Sequence, residues 1–294
     1  MYKSIQDQLP TIKEILNKNN VKIHKSLGQN FIFDINLTDK IVKKSEPIAS
    51  TIIEIGPGPG GLTRSILKRK PNILFAIDKD TQSELMLREL KEIYGDTLQV
   101  IIADAINYPI WSLGNEPRQV IANLPYNAGT KMLISWLKHI KKFEKLTLMF
   151  QKEVADRITA PVGSSNYGRL SILTNWLTKS KQLFDIPGSA FIPPPRVTST
   201  VVELIPMENP IFDVAFSSLE QITQMAFSQR RKMLKSSLKK INGEAILEDL
   251  NISSSLRPEE LSVIDFCRIA KKAYPWLVFK MFVIIKVFLQ YLEV

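Results

Sequence analysis

The stretch Thr51-Ile52-Ile53-Glu54-Ile55-Gly56-Pro57-Gly58-Pro59-Gly60-Gly61 decides the fold. Five mostly β-branched residues run straight into a glycine-rich turn, and Leu62–Lys70 continues with the character of a helix. Strand, glycine loop and helix in that order make a nucleotide-binding unit. Glycines let a ligand approach the backbone, and a helix start presents unpaired N–H groups. The spacing satisfies G-x-G-x-x-G, so a nicotinamide dinucleotide fits the pattern. Pro57 and Pro59, however, remove N–H donors that a pyrophosphate would use, and Glu54 sets an acid before the loop. Both features favour S-adenosylmethionine, which carries no phosphate. No Lys-Ser/Thr pair follows the loop, which argues against an ATPase.

Working outward, three more apolar runs end on polar residues. Ile73–Ile77 ends at Asp78, and an acid at the end of the second strand can take ribose hydroxyls. Asp80 reads as the cap of a helix starting near Thr81. Leu98–Ile102 leads to Asp104, which can accept from the adenine amine of the cofactor or serve as a simple turn residue. Gln119–Ala122 leads to Asn123-Leu124-Pro125-Tyr126. Gly56, Asp78, Asp104 and Asn123 thus close four successive strands. In open α/β sheets that edge is where ligands bind. The expected fold is α/β, a Rossmann-like sheet with helices on both faces.

Asn123-Leu124-Pro125-Tyr126 suits one chemical problem. The exocyclic amine of adenine is a poor nucleophile because its lone pair is delocalised into the ring. Two acceptors on its hydrogens, the Asn123 side-chain oxygen and the Leu124 carbonyl, would draw the nitrogen toward tetrahedral geometry. Pro125 fixes its own φ and has no N–H, so it turns the chain and leaves that carbonyl available. Tyr126 can stack on the base, worth roughly 1–3 kcal/mol. The competing reading of these four residues is a turn after a strand. Phe191 precedes Pro193-Pro194-Pro195, a stiff polyproline-like arm. Its ring either covers the opposite face of the adenine or plugs the core.

The totals bound the partners. The 294 residues carry 39 Lys+Arg against 29 Asp+Glu, a net charge of +10. That excess points to a polyanion, nucleic acid before membrane. One cysteine, Cys267, excludes an internal disulfide, and two histidines make a zinc site unexpected, so no metal is assigned. The N-terminal MYKSIQDQLP lacks an apolar signal core, and a reducing cytoplasm is expected. Gly28-Gln29-Asn30-Phe31-Ile32 mixes polar and aromatic residues. It suits either a segment folding over a ligand or a loop anchored by aromatics. Asp34 reads as the cap of a helix through Lys44. Gly163–Leu170 reads as a flexible loop, and Thr198–Ile205 as the strand that closes the sheet.

Beyond Pro206 the periodicity is helical only. Ser228–Lys240 carries Arg230, Arg231, Lys232, Lys235, Lys239 and Lys240 with no acid, and reads as a phosphate-contacting helix in preference to a solvated face. The expected domains are 1–206 (catalytic), 207–275 (helical, RNA-binding) and 276–294, an apolar extension without an assigned role. Lys280 and Lys286 interrupt that extension, so a membrane span is not expected.

These pieces together resemble the bacterial 16S ribosomal RNA adenine N6-dimethyltransferases, the KsgA/RsmA family. The matching motifs are Gly28-Gln29-Asn30-Phe31-Ile32, Glu54-Ile55-Gly56-Pro57-Gly58, Asp104-Ala105, Asn123-Leu124-Pro125-Tyr126, Phe191–Val197 and Ser228-Gln229-Arg230-Arg231-Lys232. The resemblance implies S-adenosylmethionine contacts at Asn30, Ile32, Gly56, Asp78, Asp104 and Asn123. It implies two methyl transfers to N6 of each of two adjacent adenosines near the 3′ end of small-subunit RNA, during small-subunit biogenesis. Two positions depart from the family's habit: Asp78 stands for Glu and Arg196 for Lys. A large-subunit RNA adenine methyltransferase, a DNA adenine methyltransferase and a non-catalytic RNA-binding assembly factor are the rival readings. No oligomeric state follows from the sequence, and a monomer is the default.

Overall fold

The computed structural model describes residues 9–21 and 29–275. Gly28 of the N-terminal motif and the extension 276–294 lie outside the described residues. The chain divides into two compact units. One runs to Ala155 and adds Lys179–Pro206; the other takes Asp156–Thr178 and the chain from Met207. Asp156–Thr178, expected in the catalytic domain, therefore belongs to the helical unit.

The first unit opens with α1 (Ile12–Lys18). The Thr11 hydroxyl accepts from the Glu14 N–H while the Glu14 carboxylate accepts from the Thr11 N–H, a reciprocal cap. After β1 (Phe31–Ile32), Asp34 caps α2 (Ile35–Lys44) by accepting from the Asn36 N–H. Then come β2 (Thr51–Ile55), α3 (Gly61–Leu67), β3 (Ile73–Asp78), α4 (Gln82–Met86), α5 (Arg88–Tyr94), β4 (Leu98–Ile102), β5 (Arg118–Asn123), α6 (Gly129–Leu137) and β6 (Lys145–Gln151). α7 (Lys152–Ile158) carries the chain out of this unit and, after α8 (Arg169–Leu177), β7 (Thr178–Ile186) brings it back. β8 (Phe191–Ile192) and β9 (Ser199–Pro206) complete the unit.

Seven strands form one sheet in the order β4-β3-β2-β5-β6-β9-β7. The strands from β4 to β6 are parallel, and β9 runs antiparallel to β6 with Leu148 opposite Val202. β2 is buried along its whole length and β5 as far as Ala122. That is the behaviour of unbroken apolar runs covered on both faces. The chain winds from β2 outward to β4, then crosses back to β5, so the switch point lies between β2 and β5. β9 does not close the sheet; it lies between β6 and β7. The edge belongs to β7, whose exposed Lys179, Lys181, Gln182 and Asp185 suit an edge strand. β1 and β8 form a separate antiparallel ribbon with Ile32 opposite Phe191.

In the second unit α8 is joined by α9 (Phe216–Ser228), α10 (Leu234–Ser237), α11 (Gly243–Asp249) and α12 (Val263–Ala273). The loop before α8 is tied down: Tyr167 is buried and its hydroxyl donates to the Leu261 carbonyl at 3.0 Å. The basic run is not one helix. α9 stops at Ser228, α10 spans four residues, and Lys239–Ile241 forms a 3-10 turn. Six cations without an intervening acid repel on a helix surface, and the chain instead breaks so that Leu234 and Leu238 are buried. Among the described residues no helix is long and apolar enough to cross a membrane.

Candidate active site

At the switch point the strand ends enclose a cavity of about 200 Å³. Asn30, Gly56, Asp78, Asp104, Asn123 and Leu124 all line it. The glycine loop is shaped for close approach. Gly58 has φ +50°, and a Cβ there would stand 2.5 Å from the Phe31 ring. A Cβ on Gly61 would stand 2.7 Å from the Ile32 carbonyl oxygen. The segment around β1 therefore rests directly on the loop.

Asn123 ends β5, and its side-chain amide donates to the Asn30 carbonyl at 2.9 Å. That bond fixes which way the amide faces. The nitrogen is engaged with the backbone of the N-terminal segment, and Oδ1 is left as the acceptor. Asp104 Oδ1 accepts from the Ile106 N–H at 3.0 Å and Oδ2 pairs with Lys79 Nζ at 3.0 Å. These contacts, the backbone one foremost, hold its carboxyl below the usual range.

Asp78 lines the cavity, but much of its accepting capacity is already used. Oδ2 accepts from Ser83 Oγ at 2.6 Å and from the Gly58 N–H at 3.4 Å, and Oδ1 accepts from the Asp80 N–H at 2.9 Å. A carboxylate one methylene shorter than Glu is drawn back onto the loop, which leaves fewer lone pairs for both hydroxyls of a ribose. Burial pushes its pKa up. Asp80 is more than a helix cap. It is buried, accepts from the Gln82 N–H at 3.0 Å, and receives the Gln29 side-chain amide at 2.7 Å. The polar half of Gly-Gln-Asn thus ties the N-terminal segment to the end of β3.

Glu54 is 1% exposed, with Thr63 the polar neighbour of its carboxyl. Burial, opposed by hydrogen bonding from Thr63 and reinforced by the nearby Asp78 charge, pushes its pKa to about 8. It lines a smaller cavity beneath the glycine loop, together with Gly56 and Asn123.

Three expected site residues do not line the main cavity. Ile32 is buried in the core and borders only the smaller cavity, its carbonyl against Gly61. Tyr126 is half-buried, with its hydroxyl 2.6 Å from Ser199 Oγ. Phe191 is 1% exposed and belongs to the core cluster with Ile32, Ile121 and Val201, so it does not present its ring as the free face of a clamp. In β8 the alternation sends Phe191 inward and Ile192, 44% exposed, outward. Arg230 sits in the second unit, paired with Glu259 at 2.8 Å, while Arg231, Lys232 and Lys235 are exposed. Gln29, Asp80 and Ser199 are the contributors that sequence reasoning missed. Gln29 stood inside a quoted motif, whereas Ser199 carried no signal.

The donor set decides which nucleotide fits. Acceptors dominate: Asp78, Asp104 and the Asn123 amide oxygen. Among the described residues Lys79 is the one cation lining the cavity, and it is already held by Asp104. Hydroxyls, amines and a sulfonium suit such a wall, and a pyrophosphate does not. Fold and cavity together define a Rossmann-like nucleotide-binding domain of the methyltransferase type.

Known proteins carry the definition further. Residues 20–274 match the family described as ribosomal RNA adenine dimethylase, and the chain belongs to that family. It is 45% identical over 265 residues to the ribosomal RNA small subunit methyltransferase A of Paramagnetospirillum magneticum, covering 90% of this chain and 94% of that protein. The protein of the same name from Rhizobium johnstonii is 46% identical over 269 residues, covering 90% and 98%. Among solved structures, a dimethyladenosine transferase from Plasmodium falciparum superposes with a TM-score of 0.71 at 26% identity, covering 81% of this chain and 95% of that one. The 23S rRNA methyltransferase ErmE superposes at 0.61 with 21% identity over 83% and 99%, a likeness of fold alone.

Proposed function

We propose that the pocket transfers methyl groups from S-adenosylmethionine to N6 of adenosine in 16S ribosomal RNA of the small subunit, in the cytoplasm. Two transfers would fall on each of two adjacent adenosines near the 3′ end, as a step in small-subunit biogenesis. The observation that carries this reading is the Asn123–Asn30 bond. It engages the amide nitrogen and leaves Oδ1 as the acceptor on a residue that lines the cavity, beside Leu124, whose carbonyl can act as the second acceptor.

When bound, S-adenosylmethionine supplies an electrophilic methyl on a sulfonium. Asp104 would take its adenine amine, Asp78 its ribose, and Asn30, Gly56 and Asn123 its amino-acid end. The protein's own groups then work on the nucleophile. Asn123 Oδ1 and the Leu124 carbonyl hold the two N6 hydrogens, Tyr126 stacks on the ring, and the lone pair is freed for in-line attack. Holding the reactants so is worth on the order of 7–11 kcal/mol. The proton lost from N6 can leave to water, because a methylated ammonium of this kind is strongly acidic. The target base must leave its stack, at a cost of a few kcal/mol. Arg230, Arg231, Lys232 and Lys235 would meet RNA phosphates.

The test is transfer of labelled methyl to small subunits that lack the modification, followed by mapping of the modified bases. Dimethyladenosine at two neighbouring positions of small-subunit RNA is expected. Label confined to large-subunit RNA, or to DNA, would overturn the reading.

A further inference from the structure

The Tyr126 hydroxyl stands 2.6 Å from Ser199 Oγ, across 73 residues of sequence. Ser199 is fully buried at the start of β9, opposite Gln151 in the ladder with β6. The flanking Thr198 carbonyl accepts the Lys152 N–H at 2.9 Å, so the serine has little freedom of its own. At the other end of the contact, the Pro125 carbonyl accepts from the Ala128 and Gly129 N–H groups at 3.1 and 2.9 Å, which fixes the turn next to Tyr126. With the turn held, the side-chain torsions are what remain to set the ring. The bond to Ser199 takes up that freedom at the far end of the ring. The ring itself is only half-buried, which leaves part of it able to meet a ligand.

We propose that Ser199 is a positioning residue for methyl transfer: it holds the Tyr126 ring in the plane on which the target adenine stacks. This rests on the adenosine N6 methyltransferase reading above. Burial pushes the Tyr126 pKa up, so the phenol keeps its proton and the contact persists as a neutral hydrogen bond at physiological pH. A ring free to swing would let the base settle in many poses, few of them in line, and small misplacements cost rate steeply. The loss would therefore fall on turnover and not on cofactor affinity.

The test is a double-mutant cycle of Ser199→Ala and Tyr126→Phe on the full chain, with Ser199→Thr as the conservative variant. Each single variant is expected to lower kcat about tenfold, and the double variant no further than the worse single, because one bond is lost in every case. S-adenosylmethionine affinity by calorimetry should stay within about twofold. An RNA fragment carrying 2-aminopurine at the target base should lose fluorescence quenching in both singles, and Ser199→Thr should restore rate and quenching together. Unchanged kcat and quenching in Ser199→Ala, or rate losses that multiply in the double variant, would overturn the proposal. Should Ser199→Ala fail to melt cooperatively, Tyr126→Phe, which keeps the serine, decides alone: unaltered kcat and quenching overturn the proposal, and loss of both supports it. If the unaltered protein methylates no adenosine, the functional reading falls and this inference with it; methylation with a silent cycle removes the inference alone.

Discussion

The two halves of the pocket proposed for methyl transfer are built differently. The half proposed for the cofactor is made mostly of strand ends: Gly56, Asp78, Asp104 and Asn123, set by the registers of β2, β3, β4 and β5, line one cavity with Asn30 of the segment before β1. The half proposed for the target base is a turn and a ring, Leu124 to Tyr126, with Tyr126 tied to β9 by one side-chain bond. A small ligand of fixed shape can be met by backbone that a sheet sets rigidly. A nucleotide that must first leave its own stack is met by a surface with adjustable parts. The contrast predicts that damage to the first half is felt in binding and stability, and damage to the second in turnover.

Asn123 belongs to both halves, and its removal should have the largest effect. Asn123→Ala is expected to lower kcat by about 10²–10³-fold, the scale seen when one oriented polar group is deleted from a reacting centre. Cofactor affinity, measured by calorimetry, should fall far less. Near-normal turnover in that variant would erase the distinction between the halves. Next comes Gly58→Ala. Its Cβ meets the Phe31 ring at a φ that disfavours side chains, so thermal unfolding should show a loss of about 1–3 kcal/mol together with weakened cofactor binding.

Glu54 sharpens the comparison through pH. Its folded pKa of about 8 lies above the ordinary carboxyl value of 4.5. The native state therefore keeps a proton that the unfolded state has released, and stability falls as pH rises from about 4.5 to 8. Glu54→Gln should flatten that slope and stabilise the protein by on the order of 4 kcal/mol at pH 8, with little change at pH 4, as read from denaturant melts at both values. An equal effect at both pH values would mean that folding leaves the carboxyl's pKa unshifted. The smallest effect is expected in the second unit. Neutralising exposed Arg231 should reduce the slope of log affinity for RNA against log salt by about 1. Arg230, already paired with Glu259, should contribute less.

How much of this was legible beforehand follows from what each residue type can signal. Strand ends announce themselves because an apolar run must stop somewhere, and Gly56, Asp78, Asp104 and Asn123 stop four of them at the same edge. Phe191 could not be placed, because one aromatic ring suits a base or a core equally. Its partner Ile32 lies far away in sequence, and no local pattern encodes that pairing. α8 has the same helical period whichever unit it joins, so the excursion of Asp156–Thr178 into the helical unit left no trace. The basic run looked like one helix because charge was weighed before Leu234 and Leu238, whose burial fixed the breaks. A serine at the head of a strand, such as Ser199, has no pattern at all.

The ribbon between β1 and β8 has a consequence for synthesis. Phe31 and Ile32 leave the ribosome some 160 residues before their partners Ile192 and Phe191, an interval on the order of 10–30 s at common elongation rates. During that interval the growing chain can wind its parallel strands but cannot seat the segment that bears Asn30 against its partner strand. The segment that carries Asn30 thus gains its β partner only after the whole parallel part of the sheet has been made.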